Sequence, residues 1–176
     1  IKKLLSGQMS MEYFPVSLEE LPADINYYDI DEFIDLTIRE VKIKYTHLMH
    51  PALSLGFRLI CDDKIFVYAT DNEIISDKNF PEYNESNLGA LIENADILVA
   101  ECQYTDKEYE SHIGWGHSGV ESVVKLCNKF NVKKMYTFHH DPYHNDLDLD
   151  KIVKIGQKES SGKVKVFGAI EGLSVV

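Results

Sequence analysis

T-H-L-M-H-P at 46–51, Y-A-T-D-N at 68–72, G-W-G-H-S at 114–118 and F-H-H-D-P at 138–142 are four short blocks in fixed order, each at the end of an apolar run. Side chains at the ends of adjacent strands converge on one rim, so His50, Asp71, His117 and His139 can meet although they lie far apart in sequence. Two or more imidazoles beside a carboxylate form the donor set of a divalent metal site.

Outward from the blocks, the alternation in 36–45 (L-T-I-R-E-V-K-I-K-Y), with a slip at Arg39-Glu40, predicts a half-buried strand. Residues 55–61 and 64–70 predict two more, joined by a hairpin turn at Asp62-Asp63. A polar loop over 72–86, a short helix around 87–94 and a buried strand at 96–101 follow. Ser118 with Glu121 is a capping-box pattern, and Val120, Val123, Val124, Cys127 and Phe130 share one helical stripe, so a helix is expected just after His117. A strand at 133–138, a helix over about 147–158 capped by Asp146 and a strand at 164–170 complete the chain. Ahead of these, 1–9 reads as a helix end and 10–24 as an extended loop. Strands first, then helix and strand in alternation, predict an α/β domain with a mixed sheet.

The 176 residues, 44% of them hydrophobic, suffice for one domain, expected over 1–176. No apolar run approaches the roughly 18 residues of a membrane span, and the first residues are too short for a signal peptide, so no membrane partner is expected. The three cysteines, Cys61, Cys102 and Cys127, form no C-x-x-C pair and read as free thiols in a reducing, cytoplasmic setting. A net charge of −11 with scattered lysines opposes polyanions, so no duplex nucleic acid is expected as a partner. The chain begins at Ile1 with what reads as the tail of an amphipathic helix, and it is expected to be part of a longer protein.

His50, Asp71 and His139 suit zinc, manganese or iron. The segment 139–146 carries five metal-capable side chains, readable as a separate small site or as a solvated turn; the favoured reading takes His139 as a ligand, with His140 and Asp141 supporting it. His117, ahead of a helix N-terminus, suits a phosphate oxygen or leaving group, or else packs in the tight loop made by Gly114 and Gly116. Glu101 can hold a histidine in one tautomer or end its strand in solvent. Trp115 and Tyr104 can stack on a ring or belong to the core.

In order, these segments resemble the C-terminal half of a metallo-β-lactamase-fold hydrolase, on the branch of RNase Z and small phosphodiesterases. His50 before Gly56-Phe57-Arg58 is similar to that family's ligand histidine, Asp71 in Y-A-T-D to its bridging aspartate, and Gly116-His117-Ser118 to its G-H-S/T motif. His139 aligns with the last ligand better than His140 does, and Glu101 matches the acidic strand end after A-D-I-L. The resemblance implies an αββα sandwich and a site of two divalent ions that makes a nucleophile from water. It further implies His50, Asp71 and His139 as metal ligands, His117, Asp71 and Glu101 in catalysis, and His140, Trp115 and Ser118 at the substrate. The family's first metal motif, H-x-H-x-D-H, has no counterpart in 1–176, so the N-terminal metal-binding half is expected to be absent from this chain. The 21 residues between His50 and Asp71 leave no room for a tRNA-binding arm beside two strands, which favours a small or cyclic phosphodiester. A non-catalytic binding or assembly module, with a homodimer as one form, and a lactonase or thioester hydrolase on the same scaffold are the alternatives.

Overall fold

Alternating side chains and tight turns build the first half of the sheet as a meander. In the computed structural model, which describes residues 2–27, 36–75 and 87–175, strand β1 (Leu36–Ile38) is followed by β2 (Val41–His47), β3 (Leu55–Cys61) and β4 (Lys64–Ala69). The slip at Arg39 is a turn: its φ of 53° puts the backbone in the left-handed region, which splits the single strand expected over 36–45. Asp62 and Asp63, with φ of 47° and 59°, form the turn between β3 and β4, where two left-handed residues match the twist of the flanking strands.

From β4 onward the pairing changes sign. β4, β5 (Ile97–Glu101), β6 (Lys134–Phe138) and β7 (Lys165–Gly168) pair in parallel, and the seven strands lie in chain order across one mixed sheet. Parallel neighbours need crossovers, and these carry the helices. After α1 (Lys2–Gln8), they are α2 (Gly89–Ile92), α3 (Asp106–Tyr109), α4 (Val120–Lys129) and α5 (Asp146–Ser160). The core lies between α4, α5 and one face of the sheet, where Val67, Leu98, Met135 and Val166 meet Val120, Val124, Cys127 and Ile152. Arg58 donates from one guanidinium nitrogen to the carbonyls of Leu91 and Glu93 at 2.7 and 2.8 Å, closing the C-terminal end of α2.

The opposite face is aromatic and half open. Tyr68, Val99, Tyr136 and Phe167 form one row across four strands, with Tyr136 stacked on Phe167 at 5.2 Å, and Tyr68, Phe138 and Phe167 remain exposed.

Several boundaries differ from the sequence reading. Helix α4 starts at Val120 with Gly119 as its N-cap, and Ser118 does not cap it. The Ser118 hydroxyl instead donates to the Asn72 carbonyl at 2.6 Å and accepts from Ile74 N–H at 2.9 Å. The cap comes from another segment: Asp106 accepts from Ser122 N–H at 3.1 Å and from the Ser122 hydroxyl at 2.9 Å. Helix α5 is capped by Asn145 rather than Asp146, because the Asn145 side chain reaches the N–H of Leu147 at 2.9 Å. Helix α3 was not anticipated, although T-D-K-E at 105–108 is a capping-box sequence and forms one. Of the polar loop expected over 72–86, residues 76–86 lie outside the described residues.

The chain divides into two compact units, 1–36 and 37–176. Among the described residues of 2–27 none is buried; the segment holds α1 and a short turn in which Ser17 N–H and hydroxyl donate to Glu20.

Gly119 is the tightest point of the α4 N-terminus, since a Cβ there would lie 2.2 Å from Asp106 Oδ1 and 2.8 Å from the Asp106 backbone. Gly119→Ala is expected to displace the Asp106 cap and to cost about 1–3 kcal/mol, measured by denaturant unfolding.

Candidate metal centre

The parallel register sets the rim. Ala69, Ala100 and Thr137 pair across β4, β5 and β6, so the chain leaves these strands at a common edge, with Asp71, Glu101 and His139 at their ends. Asp71 and His139 both occupy the left-handed region, with φ of 57° and 51°. Such backbone is sparsely used by non-glycine residues, and here it turns the chain sharply as each strand ends. His50 arrives from the segment after β2; its Nδ1 lies 3.1 Å from the Ala52 carbonyl and 3.2 Å from Ala52 N–H, so the local backbone orients the ring.

The Asp71 carboxylate is shared by two imidazoles. Its Oδ1 lies 3.9 Å from His50 Nε2 and 3.5 Å from His139 Nε2. These separations bring three metal-capable side chains to one rim, with Asp71 between the two imidazoles. His117 is part of the same cluster: its ring centroid is 5.4 Å from that of His50 and 5.2 Å from that of His139. Ligand atoms of His50, Asp71 and His117 lie within 4.8 Å of one another, as do those of Glu101, His117 and His139. The nitrogen and carboxylate donors and their spacing therefore fit a divalent ion.

Glu101, only 1% exposed, accepts from His117 Nδ1 at 3.0 Å through one oxygen and from Ser118 N–H at 2.7 Å through the other. Of the two readings left open for Glu101, the buried, histidine-orienting one describes its position. Its hydrogen bond raises the His117 pKa above the usual imidazole value, against burial, which lowers it. Burial in turn raises the Glu101 pKa, and its bonds to His117 oppose that rise.

Other residues singled out in the sequence fall in different places. Ser118, expected at the substrate, is 0% exposed, and its hydroxyl donates to the Asn72 carbonyl and accepts from Ile74 N–H. At the α4 N-terminus, Val120 N–H donates to the Tyr104 carbonyl and Ser122 N–H to Asp106. Tyr104 is buried and stacks on His112 at 4.4 Å, which makes it a core residue. Trp115 is 59% exposed and stands edge-on to His112 at 4.8 Å. His140 is half-buried with its Nδ1 enclosed, and burial lowers its pKa. The segment 139–146 does not gather into a site of its own among the described residues: His144 Nε2 faces Glu108 at 3.4 Å, and Asp141 accepts from Tyr143 N–H.

The sequence reading missed Asn72 and Glu73, which sit directly after Asp71 and are both buried. Their only signal was a pair of polar residues inside what was taken for a solvated loop. It also treated Gly116 as a loop glycine only. Its φ is 89°, and a Cβ there would lie 2.2 Å from His50 Cδ2, so the backbone forms a wall against the His50 ring.

Known proteins are similar to this chain in sequence and in fold. The chain is 22% identical to Ribonuclease Z of Macrococcus caseolyticus over 177 aligned positions, covering 78% of this chain and 58% of the relative. It is 31% identical to Ribonuclease Z of Staphylococcus aureus over 70 residues, 40% of this chain and 23% of the relative. Among solved structures, the metallo-beta-lactamase fold protein YhfI of Bacillus subtilis superimposes with a TM-score of 0.57 at 19% identity, over 79% of this chain and 51% of that one. The short form of human tRNase Z does so with 0.53 at 15% identity, over 81% and 47%. A diphosphatase of the PhnP family gives 0.52 at 18% identity, over 79% and 44%. The chain thus spans about half the length of these proteins, and its mixed sheet with flanking helices is that of the metallo-beta-lactamase fold. The model of the beta-lactamase superfamily domain matches residues 9–140, three quarters of the chain, and this protein belongs to that superfamily.

Proposed function

We propose that residues 1–176 are the C-terminal half of a metal-dependent hydrolase whose complete form cleaves a small or cyclic phosphodiester. The observation that carries this reading is the Asp71 carboxylate set between His50 and His139, with His117 beside them on Glu101. Two similar proteins bear the names ribonuclease and diphosphatase, which favours phosphate over carboxylic ester chemistry. The half-open aromatic face of the sheet fits a second layer supplied by the other half of a sandwich, since parallel strands are ordinarily covered on both faces.

His50, Asp71 and His139 would hold zinc, manganese or iron together with further ligands from outside 1–176. Bound divalent ions supply Lewis acidity toward a phosphoryl oxygen and lower the pKa of water. His117 is oriented through Nδ1 by Glu101, and its protonated form offers Nε2–H to the leaving oxygen. The exposed Trp115 indole offers a face for a base or ring, and His140, its pKa lowered by burial, stands next in chain to His139. A second reading, a non-catalytic assembly module, is favoured by the same open aromatic face and differs in requiring no turnover.

On the hydrolase reading, His117→Ala lowers turnover of a cyclic or bis-aryl phosphodiester at least 100-fold while metal content, read by atomic absorption, stays near that of the wild type. Equal loss of both would make His117 a ligand instead. Asp71→Ala is expected to weaken zinc binding at least tenfold by calorimetry.

The pH dependence has a definite sign. Because the folded His117 pKa is raised above 6.5, the stability it contributes is fully present below that value and is lost as pH rises through the folded pKa. Glu101→Gln removes the carboxylate that holds the proton, so the His117 midpoint in the metal-free protein should fall when followed by ring-proton NMR. A midpoint that does not move would show that Glu101 leaves the charge of His117 unaffected.

A further inference from the structure

We infer that Glu73 is a positioning residue for the metal centre: it anchors the Gly114–Gly116 loop, whose backbone holds the His50 ring in place. This rests on the reading of His50, Asp71 and His139 as ligands. Glu73 follows Asp71 by two residues, is 2% exposed and accepts from three donors of a single excursion of the chain. Oε1 accepts from the Tyr109 hydroxyl at 2.5 Å and from Gly114 N–H at 2.7 Å; Oε2 accepts from Gly116 N–H at 2.9 Å.

The loop can present two N–H groups to one carboxylate because Gly114 and Gly116 both have left-handed backbone, with φ of 87° and 89°. Backbone amides gathered in this way form an anion-binding concavity, which Glu73 fills from within the protein. The position of Gly116 then decides that of His50, since the ring packs where a Cβ would be and Pro51 closes the same gap. The other side of His50 is tied to the same node: Glu73 N–H donates to the Met49 carbonyl at 2.7 Å, and Asn72 Oδ1 accepts from Met49 N–H at 3.0 Å. Residues 72–73 thus hold the segment leading into His50 and the wall behind its ring, while Asp71 faces the same imidazole. Glu73 acts through that geometry.

The loop carries its own reporter, since Trp115 is the sole tryptophan of the chain. Glu73→Gln keeps the size of the side chain but turns one acceptor into a donor facing N–H or O–H groups. At temperatures well below its melting midpoint, this variant is expected to show lower Trp115 fluorescence anisotropy, and its zinc affinity by calorimetry should fall about tenfold. A purely structural Glu73 would lower the melting midpoint and leave both readouts unchanged, which would overturn the inference. If Glu73→Gln fails to fold, Tyr109→Phe removes one of the three donors and should move both readouts in the same direction by a smaller amount; no movement overturns the inference equally. Wild-type protein that takes up no zinc would defeat the metal-centre reading and, with it, the claim about ligand placement. The anisotropy in metal-free protein would then decide the loop anchoring separately.

Discussion

Parallel pairing of β4, β5 and β6 is the constraint from which the site follows. Because Ala69, Ala100 and Thr137 share one row of the sheet, the chain ends all three strands at the same edge, and the next residues outward are chemically active. Asp71, Glu101 and His139 come together through this register, without contact between neighbours in sequence. The helices on one face support it: Val120, Val124 and Cys127 of α4 and Ile152 of α5 pack on Val67, Leu98, Met135 and Val166, which keeps the strands from slipping.

Aiming those side chains requires uncommon backbone, and the surroundings supply its compensation. Asp71 and His139 turn through the left-handed region as their strands end, at a cost of roughly 1–3 kcal/mol for each such residue. The buried polar groups that follow stabilise this path. Ser118 bridges Asn72 and Ile74, Asn72 and Glu73 grip Met49, and Glu73 gathers the Gly114–Gly116 loop. Hydrogen bonds to a buried carboxylate are about twice as strong as neutral ones, so Glu73 and Glu101 are suited to hold loops that carry little apolar contact of their own. Each organises one flank: Glu101 the His117 side, Glu73 the His50 side.

The same arrangement explains why one sheet face remains open. The helical layer covers the Val67 and Leu98 side, whereas the Tyr68, Phe138 and Phe167 side shows exposed rings. The chain spans about half of its relatives' length, and the proposed second half would meet this aromatic surface.

Local sequence determined much of this protein. Period-two alternation marked 36–45 as strand, two adjacent aspartates marked the hairpin, and the helical stripe of Val120, Val123, Val124 and Cys127 located α4, because each signal depends only on neighbours within a few residues. His50, Asp71, His117 and His139 were legible as site candidates because metal-capable side chains at strand ends are unusual on a soluble rim. The tertiary structure decided whatever depends on partners distant in sequence. Ser118 left its expected cap for Asn72, Asp106 took that role from a helix no strand pattern announced, and Tyr104 went to the core rather than the rim. Glu73 was read as part of a polar loop because an acidic residue among asparagine and aspartate looks solvated; only the fold brings Tyr109, Gly114 and Gly116 to it. A hydrogen bond across about 40 residues leaves no periodic trace in the sequence, since it depends on where two chain segments meet and not on the spacing within either one.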